Sequence, residues 1–177
     1  MHITGRIAVV AGIVGSLSTG ASAIDRSEVP APRATGPQEV TVVAVMLDPT
    51  TQQPAIVLEG KRDKRQVAMS IGMAEATGIA VSLQGITPPR PLTHDLFLTM
   101  FGRLHVVLTR VVVYDFRDNI FFATVHLTAN GTAMTLDARP SDAIALALRA
   151  KVPVLVEDRV FERGGAPDAP GRPKPSV

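Results

Sequence analysis

The chain contains no cysteine and no tryptophan, and one tyrosine among its 177 residues. The first absence excludes disulfides, thiolate nucleophiles and cysteine-ligated zinc together. It leaves the redox compartment open, because an exported chain of this length can bury enough surface without covalent staples. Aromatic residues make up 4% of the composition, so a core has to rest on Val, Ile, Leu, Met and six Phe. No basic and aromatic array offers itself for stacking on single strands. Excess charge is missing as well. The formal net charge is +2, yet cationic and acidic residues cancel between Gln38 and Arg163, and the surplus cations are Arg6, Arg26, Arg33, Arg172 and Lys174 at the ends. Bulk electrostatics therefore give no argument for a nucleic-acid binder.

What is present begins with an address. A cationic start at Met1–Arg6 precedes the apolar run Ile7–Leu17, and Ala21 and Ala23 then stand in an A-x-A arrangement. That pattern predicts a signal peptide over residues 1–23, cleaved after Ala23, and an exported protein in the periplasm or outside the cell. The apolar run falls short of the roughly 20 residues a membrane span requires, so no stable span is expected after cleavage. An uncleaved anchor or a misassigned start codon is the competing reading. Residues 24–38 read as a flexible linker, 39–163 as one folded domain and 164–177 as a disordered tail, because both flanks are rich in Pro and charge without periodicity.

Within the domain, Glu39–Leu47 is β-branched and apolar on both faces, as a strand buried on both sides would be. Ala55–Leu58 and Gln66–Ile71 complete a three-stranded meander. The period then changes. Ala76, Ile79, Ala80 and Leu83 share one helical stripe over Met73–Leu83, with Glu75 in the first turn. A stiff Pro88-Pro89-Arg90-Pro91 segment leads to a second helix, with Thr93 as the expected N-cap and Asp95 in its first turn. A second meander follows: His105–Tyr114, then Ile120–Thr128, then Ala133–Ala138, with Asn130-Gly131 as a hairpin signal. Pro140 and Asp142 open a helix through Ala150 that is apolar all round and expected to be buried, and Val154–Val156 is a last short strand. The fold class is α+β: two antiparallel β-meanders with two helices between them and a buried C-terminal helix.

Three segments carry a resemblance. They are Asp137–Arg149 (DARPSDAIALALR), Pro88–Leu96 (PPRPLTHDL) and Ile71–Ala76 (IGMAEA), with Leu47-Asp48-Pro49 in support. In order and spacing the chain resembles the bifunctional nuclease domain family over about Glu39–Arg163. The resemblance implies a compact α+β domain, a tendency to form homo-oligomers, and nuclease activity on DNA and RNA. Plant members join this domain to a second module that is not found here, and the signal peptide is a further departure.

Phosphodiester hydrolysis calls for an activated water and for stabilisation of charge at phosphorus. Without cysteine, any metal would be a hard cation such as Mg2+ or Mn2+ held by oxygen and imidazole. The matched segments suggest Glu75, Asp95, Asp137 and Asp142 as metal ligands and His94 as base. Arg139 would clamp the phosphate, with Arg90 as a further substrate contact and Glu75 counted among the catalytic groups. Each has a plainer reading. Glu75, Asp95 and Asp142 stabilise the amino ends of helices wherever they stand in first turns, Arg139 can simply pair with Asp137 or Asp142, and His94 can be a surface residue. His126 reads as solvated, Asp115 and Asp118 as turn formers, and Asp63 as part of a solvated charged loop. The leading expectation is thus an exported, metal-assisted nuclease acting on DNA or RNA. The alternative is a non-catalytic binding or assembly module of the same fold.

Overall fold

The computed structural model describes residues 35–48 and 52–164. The expected signal peptide, most of the expected linker, the Pro49–Thr50 part of the first turn, and the expected tail beyond Gly164 lie outside the described residues. These residues form β1 (Gln38–Leu47), β2 (Pro54–Gly60) and β3 (Gln66–Ser70), then α1 (Met73–Leu83) and α2 (Thr93–Arg103). Next come β4 (Val106–Arg117), β5 (Ile120–Ala129) and β6 (Thr132–Ala138), then α3 (Pro140–Ala150), β7 (Val154–Val156) and α4 (Asp158–Gly164). Both meanders are antiparallel. Gln38, expected in the linker, already belongs to β1.

The strand β7 joins the two meanders into one seven-stranded sheet of order β3-β2-β1-β7-β4-β5-β6. It runs antiparallel to β1 through Gln38↔Val156 and Glu39↔Leu155, and parallel to β4 from Val111↔Val154 to Val113↔Val156. The parallel step follows from α3, which carries the chain back between β6 and β7 as a crossover helix must. Two hairpins close on residues with positive φ at both turn positions: Asp118 and Asn119 at 50° and 61°, Asn130 and Gly131 at 48° and 77°. Such turns match the twist of the flanking strands. Asp115 consequently lies within β4 rather than in the turn, and it is buried against Arg117 and Arg163.

The core is aliphatic, as the composition requires. Ile56, Leu58, Val67, Ile79, Val111, Val113, Ile144, Val156 and Val160 are fully buried, each contributing about 1.5–3 kcal/mol by leaving water. Helix α3 is buried along Ser141–Ala147 apart from Asp142, and α1 and α2 pack against it. Strand β1 departs from expectation: it alternates, with Val40 buried while Val43, Met46 and Leu47 are exposed. Helix α4 was not anticipated, because seven residues rich in charge give no readable period. It docks through Val160 and Phe161, while Gly164 rests between Val67 of β3 and Phe121 of β5.

Candidate functional site

Three helix amino ends meet at one corner of the molecule. Glu75 is the third residue of α1, His94 the second of α2 and Asp142 the third of α3, with Arg139 as the N-cap of α3. None of the N-cap residues Gly72, Leu92 and Arg139 turns a side-chain acceptor onto its own helix. The first-turn N–H groups are therefore left for other partners. Thr93, expected as the cap of α2, is instead its first helical residue. The end of α2 is held from the other side, by Leu92 N–H donating to Asp95 Oδ2 at 2.8 Å.

The side chains form a chain of contacts. Arg139 donates from Nε to Asp142 Oδ2 at 2.8 Å and from Nη2 to Glu75 Oε1 at 2.7 Å. Asp142 Oδ1 lies 3.4 Å from His94 Nε2. These bonds, that to Asp142 foremost, raise the Arg139 pKa further above its ordinary value, so the guanidinium stays charged. Its side chain is 68% exposed, whereas Glu75 is 17% and His94 13% exposed. Each helix end carries roughly +0.5 of an elementary charge. Three such ends and one guanidinium together outweigh the two carboxylates, so the corner can accept an anion even with neutral His94.

Three hollows adjoin this chain of contacts. One of about 600 Å³ meets it at Arg139, beside Gly72, Pro140 and Phe121. A second, of about 420 Å³, is lined by Glu75, Thr77, Thr93, His94, Arg139 and Asp142 together with Ala74, Gly78 and Leu92. An apolar one of about 430 Å³ lies between α2 and β6 and is lined mainly by Phe97, Phe101, Val125, Leu136 and Leu146. Thr93, His94 and Asp142 belong to the walls of these last two.

The fold thus brings together four of the residues suggested by sequence, Glu75, His94, Arg139 and Asp142, and separates the rest. Asp95 is held by Arg149, whose Nε donates to Asp95 Oδ1 at 2.8 Å, so it braces helices instead of joining a ligand set. Asp137 is exposed on β6 at the rim of the apolar hollow. Arg90 is exposed in the Pro-rich connector and lines none of these hollows. Among the described residues no three His, Asp or Glu side chains gather where one metal ion could bind them. Glu75 and Asp142 each accept a hydrogen bond from the Arg139 guanidinium. The four-carboxylate ligand set expected from sequence is not assembled, and the donors as arranged do not fit a bound divalent ion.

Other expectations shift as well. His94 is a largely buried residue against Gly78 of α1, not a surface one. His126 is half-buried on β5, and burial together with Arg110 lowers its pKa. Asp63 is no solvated charge but accepts from Gln38 Nε2 at 2.9 Å and from Arg65 Nε at 2.7 Å. The residue sequence reasoning missed is Arg149. Its side chain, 8% exposed, also donates to the Gly78 and Ala145 carbonyls at 3.0 Å each, tying α1, α2 and α3 together. A cation near the end of an otherwise apolar helix was its only signal.

The family-wide sequence model described as the bifunctional nuclease domain matches residues 56–168. An uncharacterised protein of Mycobacterium tuberculosis (strain H37Rv) is 37% identical over 127 residues, covering 72% of this chain and 76% of its own length. Bifunctional nuclease 1 of Oryza sativa subsp. japonica and the bifunctional nuclease of Oryza minuta are each 28% identical over 116 residues. Those alignments cover 63% of this chain and 35% of the rice proteins.

Proposed function

Because the chain belongs to the bifunctional nuclease domain family, we propose that it hydrolyses phosphodiester bonds of DNA and RNA at the meeting point of α1, α2 and α3. The observation that carries the proposal is the contact chain Glu75–Arg139–Asp142–His94 across three helix amino ends, beside the hollow that these four residues line. Arg139 Nη1, which neither carboxylate engages, and the first-turn N–H groups receive the phosphate oxygens. His94 Nε2 carries the proton turned to Asp142, and His94 Nδ1, on the Gly78 side of the hollow, takes a proton from water while the water oxygen attacks phosphorus. The bond from phosphorus to the leaving oxygen breaks, and solvent protonates that oxygen. Asp142 stabilises the imidazolium as it forms, and the 3.4 Å contact shortens in that state. Glu75 is a positioning residue that fixes the Arg139 fork.

The test is cleavage of plasmid and of RNA by the purified protein and by folded His94→Ala and Arg139→Ala variants. Losing a positioned base costs about 10²–10⁴-fold and losing a charge-stabilising donor about 10²–10³-fold. Cleavage that survives both substitutions would sink the assignment. The Mg2+ or Mn2+ expected from the carboxylates enters as a separate arm, with EDTA and with each ion restored. Export belongs to the same proposal, and it predicts that protein recovered from outside the cytoplasm begins at Ile24.

A second reading, assembly, is favoured by one surface. Leu96 and Met100 on one side of α2 and Leu104 at its C-cap are 65%, 45% and 61% exposed. An exposed apolar stripe of this kind suits a contact between copies. Light scattering on wild type and on a Leu96→Glu, Met100→Glu double variant tests it. A homo-oligomer that becomes a monomer is the expected result.

A further inference from the structure

The apolar hollow between α2 and β6 has no task in the chemistry above, yet it shares three wall residues with the hollow that holds Arg139. Thr93, His94 and Asp142 separate a space offering a guanidinium from a space offering aromatic and aliphatic surface. We propose that the apolar hollow receives one unpaired base of the nucleic acid whose phosphate lies at Arg139, so that the enzyme cuts at unpaired nucleotides. The inference rests on the nuclease reading and names the form of its substrate.

A nucleotide is an anion and a flat ring with apolar faces, joined by a sugar. Of the two hollows that share these walls, one carries the guanidinium and the other the phenylalanine rings. The apolar one, at about 430 Å³, lies within the roughly 300–1,000 Å³ range of small-ligand sites. Phe97 and Phe101 present two rings, 6.3 Å between centroids at 67°, so an entering base can lie on one face and meet the edge of the other. Leu136 forms a further wall from β6. Phe97 remains 43% and Leu136 48% exposed, apolar surface that a bound ring would cover. Polar groups stand at the margin, where Asp137 and Thr93 can meet the hydrogen-bonding edge of the base. A base inside a duplex is stacked and paired, so its face cannot enter such a hollow unless the nucleotide is already unpaired or is extruded. Sequence analysis missed this site because Phe97 and Phe101 are isolated on one helix and acquire walls only when β6 is folded beside them.

The experiment uses the full chain and an end-labelled DNA oligonucleotide in three forms: single-stranded, paired with its complement, and single-stranded with one abasic residue. Wild type is expected to cut the single strand at least tenfold faster than the duplex, and to cut poorly next to the abasic residue. Phe97→Ala is expected to slow single-strand cleavage about ten- to a hundredfold, the scale of one base–aromatic stack. The same substitution should leave cleavage at the abasic residue unchanged, because there is no base left to stack; a loss of fold would slow both alike. Equal slowing of both substrates, or duplex cleaved as fast as single strand, overturns the proposal. So does a Phe97→Ala variant that changes only the number of subunits. If wild type cleaves none of the three, the nuclease reading fails, and fluorescence anisotropy decides the subsite by itself. Weaker binding of the abasic strand, with the difference abolished by Phe97→Ala, supports the hollow as a base site, and equal binding of both strands overturns it.

Discussion

Arg65 and Arg139 each sit between two carboxylates, and they differ in what surrounds them. Arg65 bonds Asp63 and Asp158 with its side chain 24% exposed and its guanidinium 4.8 Å from the centre of the Phe161 ring. Asp158 is further held by the Gly36 N–H at 2.7 Å and by Arg62 at 3.3 Å. Helix α4 supplies both Asp158 and the Phe161 ring to that cluster, with Arg62 at its exposed edge. Arg139 bonds Glu75 and Asp142 in similar fashion, yet it is 68% exposed above a hollow, and among the described residues no ring stacks on it. The same chemistry is closed in one place, where it fastens the β2–β3 loop to α4. In the other it is left open, where a guanidinium face remains for a ligand. Arg149, 8% exposed, is a third and more deeply closed case.

Deletions at Arg149 and Arg139 test the contrast, beginning with the largest effect. Arg149→Ala strips Asp95 of its partner and leaves the Gly78 and Ala145 carbonyls to find others. Stability should fall by about 2–4 kcal/mol, read as a lower urea midpoint at unchanged slope. Arg139→Ala should do the reverse. An exposed ion pair contributes about 0–1 kcal/mol to folding, so the urea midpoint should barely move while cleavage falls about 10²–10³-fold. Equal losses of stability at both sites would erase the distinction between open and closed clusters.

Most elements were legible in the sequence because their signals are local. The 3.6-residue stripe of Met73–Leu83, the Pro140 start of α3 and the Asn130-Gly131 turn each act within a few residues. The four residues that meet at the corner were legible as individuals, since first-turn acids and a histidine mark helix starts. Their meeting was not, and neither was the exclusion of Asp95 and Asp137. Whether a first-turn carboxylate faces a neighbour's arginine or a shared hollow depends on how three helices cross, and Gly78 and Arg149 decide that crossing from far along the chain. The role of β7 was hidden for the same reason. Three apolar residues announce a strand but cannot say that it will bridge two meanders.

The closed cluster also makes a prediction about acid. Its hydrogen bond from Arg65, above all, holds the Asp158 pKa below the ordinary 3.8. A carboxyl with a lower pKa folded than unfolded contributes stability that is complete above the unfolded value and lost as pH falls through the folded one. Stability should thus be level near neutrality and decline below about pH 4. Asp158→Asn should cost about 1–3 kcal/mol at pH 7 and flatten that acid decline. Urea midpoints at pH 7 and at pH 3 measure both effects. An acid decline as steep in the variant as in wild type would mean that Asp158 is not one of the groups responsible.

The smallest effect is the most diagnostic of how the open cluster is positioned. Gly72 precedes α1 in an extended conformation, φ −75° and ψ 161°, that any residue can adopt, so its backbone does not demand glycine. The requirement is space, because a Cβ there would overlap Glu75 Oε2. That oxygen ends a flexible side chain, so Gly72→Ala should displace the carboxylate at little cost to the fold, below about 1 kcal/mol. What it disturbs is the bond that holds Arg139 from the α1 side. If Glu75 acts by holding the guanidinium in place, Gly72→Ala and Glu75→Gln should each lower cleavage several-fold, and combining them should add little, since both remove one constraint. Effects that multiply would give Glu75 a role of its own in the reaction, beyond that of a brace for Arg139.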